Sequence, residues 1–107
     1  MFPRDRRVRT TSDIITALRK GRRFSFGPVS CYFFSKPGSV GKATVIVDKK
    51  TAKKAVQRNL MKRRSRAILQ QYPLPAGNLV VRLYAGSQDL SFPDLHIQLE
   101  RCLAKLS

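Results

Sequence analysis

Between Lys49 and Arg66 the chain places nine lysines and arginines in eighteen residues, with no acid among them. No glycine or proline follows until Pro73, so the pattern predicts one long helix from Lys49 to about Tyr72. Such a helix gains little from its own surface. Lys54, Arg58, Lys62 and Arg66 succeed one another at i,i+4 spacing, where like charges repel. Phosphates laid against it would stabilise it, because phosphate contact releases condensed counterions. A merely solvated helix face usually mixes signs, and this one does not. Helical spacing puts positions 50, 54, 57, 58 and 61 on the outer part, and Ala52, Val56, Leu60 and Ala67 towards the core.

The rest of the composition agrees with a polyanion partner. The chain has 107 residues, a size for one domain, with 42% hydrophobic residues to fill its interior. Twenty-two Lys and Arg against six Asp and Glu give a net charge of +16, which repels itself unless a polyanion neutralises it. Nucleic acid fits that role better than a membrane surface, which would call for an amphipathic helix with Trp or Phe opposite its cations; the chain has no Trp. It has no apolar run long enough to span a bilayer, and its basic N-terminus leads into no apolar segment of a secretory kind. Residues 1–107 are therefore expected to form a single RNA-binding domain with a basic arm over 1–11, in the cytoplasm. Cys31 and Cys102 lie far apart without metal-ligand spacing, which suits two buried thiols rather than a disulfide or zinc site.

The order of elements follows from local signals. Ser12-Asp13 offers an N-cap to a short helix holding Ile14, Ile15 and Leu18, which Gly21 stops. Phe24 to Phe26 suits a brief strand, and Val29 to Phe34, rich in β-branched and aromatic residues, a longer one. After the Pro37–Gly41 turn cluster, Ala43 to Val47 is expected to pair antiparallel with it as a hairpin, buried on both faces. Leu79 to Ala85 reads as the last strand. Ser91 opens a final helix with Asp94 three residues on, and Leu95, Leu99, Cys102, Leu103 and Leu106 form its apolar stripe. The fold class is α+β, a small mostly antiparallel sheet with helices packed on it.

Catalytic chemistry is missing. His96 is the only histidine, the acids form no close pair, and no glycine-rich phosphate loop is present. Asn59, set among the cations, could bond a base edge or a 2′-hydroxyl as readily as local backbone. Tyr32 and Phe34 share one face of their strand and Phe33 the other; Tyr32, with its polar tip, is the candidate for base stacking.

The run Lys53-Lys54-Ala55-Val56-Gln57-Arg58-Asn59-Leu60-Met61-Lys62-Arg63-Arg64-Ser65-Arg66, preceded by Lys49-Lys50, resembles the signature helix of the ribonuclease P protein subunit family. Ser12-Asp13, Gly21-Arg22-Arg23, the strand around Tyr32 and Leu90-Ser91-Phe92 match that family in order. The resemblance implies an α-β-β-β-α-β-α fold, a ribosomal-protein-like two-layer sandwich with a left-handed βαβ crossover. It implies binding to a catalytic RNA that removes the 5′ leader of precursor tRNA with Mg²⁺ acting on the RNA, the protein alone binding no cofactor. Carried over by position, Lys49, Lys50, Lys53, Lys54, Arg58, Asn59, Lys62, Arg63 and Arg66 would contact the RNA subunit, and Ile14, Leu18 and Tyr32 would line a leader cleft. Leu60 stands where the family usually has an arginine. Ile14 and Leu18 stand where it often has aromatics, which leaves Tyr32 as the expected stacking residue. The alternative is a structural RNA-binding protein of ribosomal type, which charge and fold alone do not separate from this one.

Overall fold

The computed structural model describes residues 11–38 and 40–106. Most of the expected arm, residues 1–10, lies outside them. In chain order the elements are α1 (Thr11–Lys20), β1 (Arg22–Phe26), β2 (Val29–Ser35), β3 (Lys42–Val47), α2 (Ala55–Leu69), β4 (Gly77–Leu83), a 3₁₀ turn (Ser87–Asp89) and α3 (Phe92–Ala104). The order is the one expected. Ser12 lies inside α1 rather than capping it. Ser91 does cap α3, its Oγ accepting from the Asp94 N–H at 3.2 Å.

The strands form one sheet in the order β1-β2-β4-β3. β1 pairs antiparallel with β2, and β2 antiparallel with β4. β3 does not form the expected hairpin with β2: it pairs parallel with β4, Val45 opposite Val81, and so lies at the sheet edge. The reason is burial. β2 and β4 are the strands covered on both faces and take the centre, whereas β3 alternates buried Ala43, Val45 and Val47 with half-buried Thr44 and Ile46.

One face of the sheet carries the main core, where Val29, Cys31, Phe33, Val45, Leu79, Val81 and Leu83 meet Met61, Ile68 and Leu69 of α2 and Leu95, Leu99 and Cys102 of α3. α2 and α3 thus form one helical layer against the sheet of the expected α+β fold. The other face carries a smaller cluster, in which Ala17 of α1 packs on Tyr32 and Val80, flanked by Ile14, Leu18, Phe34 and Ile46. Gly21 ends α1 by donating to the Ala17 carbonyl, and a Cβ there would collide with that oxygen and with the Phe33 carbonyl. Glycine therefore lets the helix end press directly onto β2.

The β3-α2-β4 unit is left-handed, as the resemblance implies. Tyr84 N–H donates to the Pro28 carbonyl and Lys36 N–H to the Ala76 carbonyl, one at each end of the β2–β4 pairing. Bonded pairs thus fall on even-numbered residues of β4, whose side chains face α1. Seen from α2 with β4 pointing up, L-residues then place β2 to the left of β4 and β3 to its right. The chain climbs β3, descends through α2 in front, and re-enters the sheet one strand to the left, against the usual handedness.

Candidate nucleic-acid interface

The basic segment is two structures rather than one helix. Asp48 to Ala52 makes a turn in which the Asp48 carbonyl accepts from the N–H groups of Thr51 and Ala52. The Thr51 hydroxyl donates to the Leu83 carbonyl at 3.1 Å, which ties the turn to β4. These bonds, together with burial of Thr51 and Ala52, hold the segment out of helical geometry despite its helix-forming residues. Lys49, Lys50, Lys53 and Lys54 are all exposed on this turn and the link after it. The helix starts at Ala55 and ends at Leu69, short of Tyr72.

α2 is rotated relative to the expectation. Its inner face is Met61, Ser65, Ile68 and Leu69, so Met61 is core; Val56, expected inside, is 78% exposed, and Ala67 is exposed as well. At about 100° per residue, Arg58, Lys62 and Arg66 form one row along a flank of the helix, and Asn59 and Arg63 form the adjacent row. Sequence-predicted Arg58, Asn59, Lys62, Arg63 and Arg66 therefore do share one continuous strip. Exposed Lys53 and Lys54 lie at its N-terminal end. Lys54 is the extended N-cap residue and supplies no side-chain cap, and the first turn holds no acid. The positive end of the helix dipole thus adds to the lysines rather than being offset.

Arg58 differs from its neighbours. Its Nη1 donates to the carbonyls of Ala52 at 2.9 Å and Lys53 at 2.8 Å. It clips the turn to the helix and so presents the lysines, a role that helical spacing could not reveal because the acceptors lie outside the helix.

The second feature is the sheet face beneath α1. Ile14 and Leu18 sit at the border of its cluster, half-exposed, and Ile15 is 43% exposed. Tyr32 is covered: only 7% of it is exposed, and its ring packs against Ala17 and Val80. Its hydroxyl meets that of Tyr84 at 2.8 Å. Burial, and then this bond, raise the Tyr32 hydroxyl above its ordinary pKa, while Arg23 and Arg82 pull the other way. Arg23 lies over the Tyr32 ring at 5.5 Å and Arg82 over the half-exposed Tyr84 ring at 5.2 Å. Asp48 anchors Arg82 through a 3.1 Å ion pair and raises its pKa further. Arg82, Tyr84 and Asp48, and Arg23 beyond its place in the Gly21-Arg22-Arg23 match, were not among the site residues expected from the sequence. Alternation along β4 would have put residues 80, 82 and 84 on one face, but only the β2–β4 pairing makes it the face of Tyr32.

His96 has a structural partner, its Nε2 lying 2.8 Å from the Tyr72 hydroxyl, which joins the end of α2 to α3. Cys31 and Cys102 are free and buried in the main core, where contact with Cys102 and burial push the Cys31 thiol well up. Among the described residues, no three of His, Cys, Asp or Glu gather in a way that could hold a metal ion, and no helix is long and apolar enough to cross a membrane.

Beside the left-handed βαβ unit and the basic strip led by a lysine turn stands a match in sequence. The model of the ribonuclease P family matches residues 2–107. The chain belongs to the ribonuclease P protein family. It is 29% identical over 107 residues to the ribonuclease P protein component of Xylella fastidiosa (strain Temecula1), covering 98% of this chain and 78% of that one. It is 27% identical over 106 residues to that of Picosynechococcus sp., covering 95% and 90%. The fold superposes on the Staphylococcus aureus RNase P protein with a TM-score of 0.82 at 20% identity, covering 94% of each chain. On the Thermotoga maritima protein the TM-score is 0.83 at 19% identity, covering 94% of this chain and 97% of that one. The chain is thus the protein subunit of a ribonucleoprotein endoribonuclease; it assists tRNA 5′ maturation and partners the ribonuclease P RNA.

Proposed function

We propose that the strip Arg58, Asn59, Lys62, Arg63 and Arg66, with Lys49, Lys50, Lys53 and Lys54 at its head, docks this subunit on the ribonuclease P RNA. In the same reading, the α1-facing side of the sheet, bordered by Ile14, Leu18 and Tyr32, receives the 5′ leader of precursor tRNA. The observation that carries it is the absence of any acid along that strip, so its charge is offset only by an external polyanion. Tyr32 contributes as the buried floor of the cleft, its ring being packed rather than open to a base. The described residues offer no cluster fitted to a metal, and in this reading Mg²⁺ acts with the RNA subunit. The whole chain acts as one RNA-binding domain, in the cytoplasm, where precursor tRNA is processed.

The test is the salt dependence of binding to the ribonuclease P RNA. Each phosphate contact contributes about 0.7 to 0.9 to the slope of log affinity against log salt, depending on strandedness. Lys62→Ala and Arg63→Ala are each expected to lower affinity and flatten the slope by about that amount. If both leave affinity and slope as they are in wild type, the strip is a solvated face and the docking assignment falls.

A further inference from the structure

The α1-facing side of the sheet is only half covered. α1 sits over Tyr32, Phe34, Val80 and Ile46, while the end formed by Ser30, Arg82 and Tyr84 extends beyond its cluster. There the β1–β2 turn and the segment after β4 enclose an open cavity of about 640 Å³, lined by Arg23, Ser25, Ser30, Tyr84 and Gly86 among others. That volume lies within the usual range of about 300–1,000 Å³ for a small-ligand site. The cavity combines an aromatic wall, a hydroxyl pair and a cation.

Tyr84 is the wall, and it is held. One ring face carries the Arg82 guanidinium at 5.2 Å, its hydroxyl is bonded to Tyr32, and Arg82 is itself anchored by Asp48. The ring is therefore fixed in orientation before any ligand arrives. Ser25 and the buried Ser30 share one hydrogen bond of 2.8 Å between their hydroxyls. When Ser30 is the donor in that bond, the O–H of exposed Ser25 is left for an outside acceptor. Arg23, exposed beside them, has no carboxylate within ion-pair distance among the described residues. Asp48 is paired with Arg82, and exposed Lys49 and Lys50 follow it in the chain.

A stacking ring, a hydroxyl donor and a cation without a carboxylate partner are the three contacts a single nucleotide offers partners for: base, sugar or base edge, and phosphate. We propose that this cavity is a one-nucleotide subsite for single-stranded RNA in which Tyr84, rather than Tyr32, stacks the base. Ser25 faces the sugar or base edge, and Arg23 the phosphate. The occupant is a leader nucleotide lying further along the sheet face than the part under α1. This deepens the leader assignment above and rests on it.

Holoenzyme reconstituted with the RNA subunit is titrated with precursor tRNAs whose leaders lengthen one nucleotide at a time, and with mature tRNA. Wild-type affinity is expected to step up at the leader length that reaches the cavity. Tyr84→Ala should lose that step, by about 5- to 150-fold, the equivalent of about 1–3 kcal/mol for one stacked base. It should bind shorter leaders and mature tRNA as wild type does. Tyr84→Phe, which keeps the ring and loses the bond to Tyr32, should retain most of the step. An abasic nucleotide at that leader position should reproduce the loss in wild type and add nothing in Tyr84→Ala, an arm that does not depend on how well the variant folds. An equal loss at every leader length, or no loss with either the variant or the abasic leader, overturns the subsite while leaving the leader assignment in place. If wild type binds all leader lengths and mature tRNA alike, the leader assignment itself fails, and the subsite with it.

Discussion

Arg58 is the residue for which charge and structure predict opposite outcomes. As one more cation in a repelling i,i+4 row, its removal should relieve strain worth about 0.2–0.5 kcal/mol per like-charged pair. In the structure it instead donates to two backbone carbonyls, at 2.9 and 2.8 Å, that belong to the turn preceding its helix. A hydrogen bond from a charged group contributes about 1.5–3 kcal/mol when well buried. Arg58 is only half-buried, so about 1–3 kcal/mol for the pair is a fair discount. Subtracting about 0.4–1 kcal/mol for the two relieved pairs, with Lys54 and Lys62, leaves Arg58→Ala less stable by about 0–2.5 kcal/mol, centred on about 1, and each kcal/mol lowers Tm by roughly 4–8 °C for a domain of this size. Lys62→Ala, next in the same row, should leave Tm unchanged or slightly higher. Arg58→Lys preserves charge but not the planar fork, and should melt close to Arg58→Ala. Thermal unfolding of the three variants by circular dichroism, with RNA binding followed against salt, separates the roles. Should Arg58→Ala melt with or above Lys62→Ala, the clip contributes nothing and Arg58 is simply another phosphate contact.

The rotation of α2 predicts a contrast between two aspartates. Val56→Asp, on an exposed first turn, should change stability by no more than about 0.5–1 kcal/mol, in the favourable direction because an acid suits a helix N-terminus. Met61→Asp buries a charge against Ile68 and the sheet and should leave the chain unfolded at room temperature, as read by circular dichroism. At alkaline pH the tyrosine pair becomes a liability. Tyr32 is an acid whose folded pKa is raised above its ordinary value of 10.0, so the stability it contributes is complete below that pH and is lost as pH rises through the raised value. Tyr32→Phe should accordingly lose less Tm than wild type between about pH 9 and 11; parallel Tm curves would mean that the hydroxyl pair does not couple to folding.

Several features were legible from the chain alone because they depend on local chemistry. The order of elements follows from glycine and proline stops and from β-branched runs, and the cap at Ser91 from a hydroxyl three residues ahead of Asp94. The apolar stripe of α3 survives as buried Leu95, Leu99 and Cys102, and the split of Tyr32 from Phe33 across the sheet holds because strand side chains alternate. The strip from Arg58 to Arg66 was also visible, since spacings of three and four fix which residues share a helix flank wherever the helix begins.

What failed did so where distant backbone decided. The turn over Asp48 to Ala52 is set by the Thr51 bond to Leu83 and by Arg58 reaching back, and neither partner is near enough in sequence for a propensity to register it. The inner face of α2 is set by which side β3 and α3 present to it, so Val56 could look like core and Met61 like surface. β3 sits beside β4 because two strands buried on both faces must occupy the sheet centre, a requirement of the assembled sheet rather than of any one strand. Sequence therefore determined the basic character, the family signature and the order of elements, all carried by short-range spacing and charge. The tertiary structure alone decided that Tyr32 is buried while Tyr84, bonded to it, stays half-exposed, because the pairing of residue 32 with residue 80 sets those two strands side by side across half the chain.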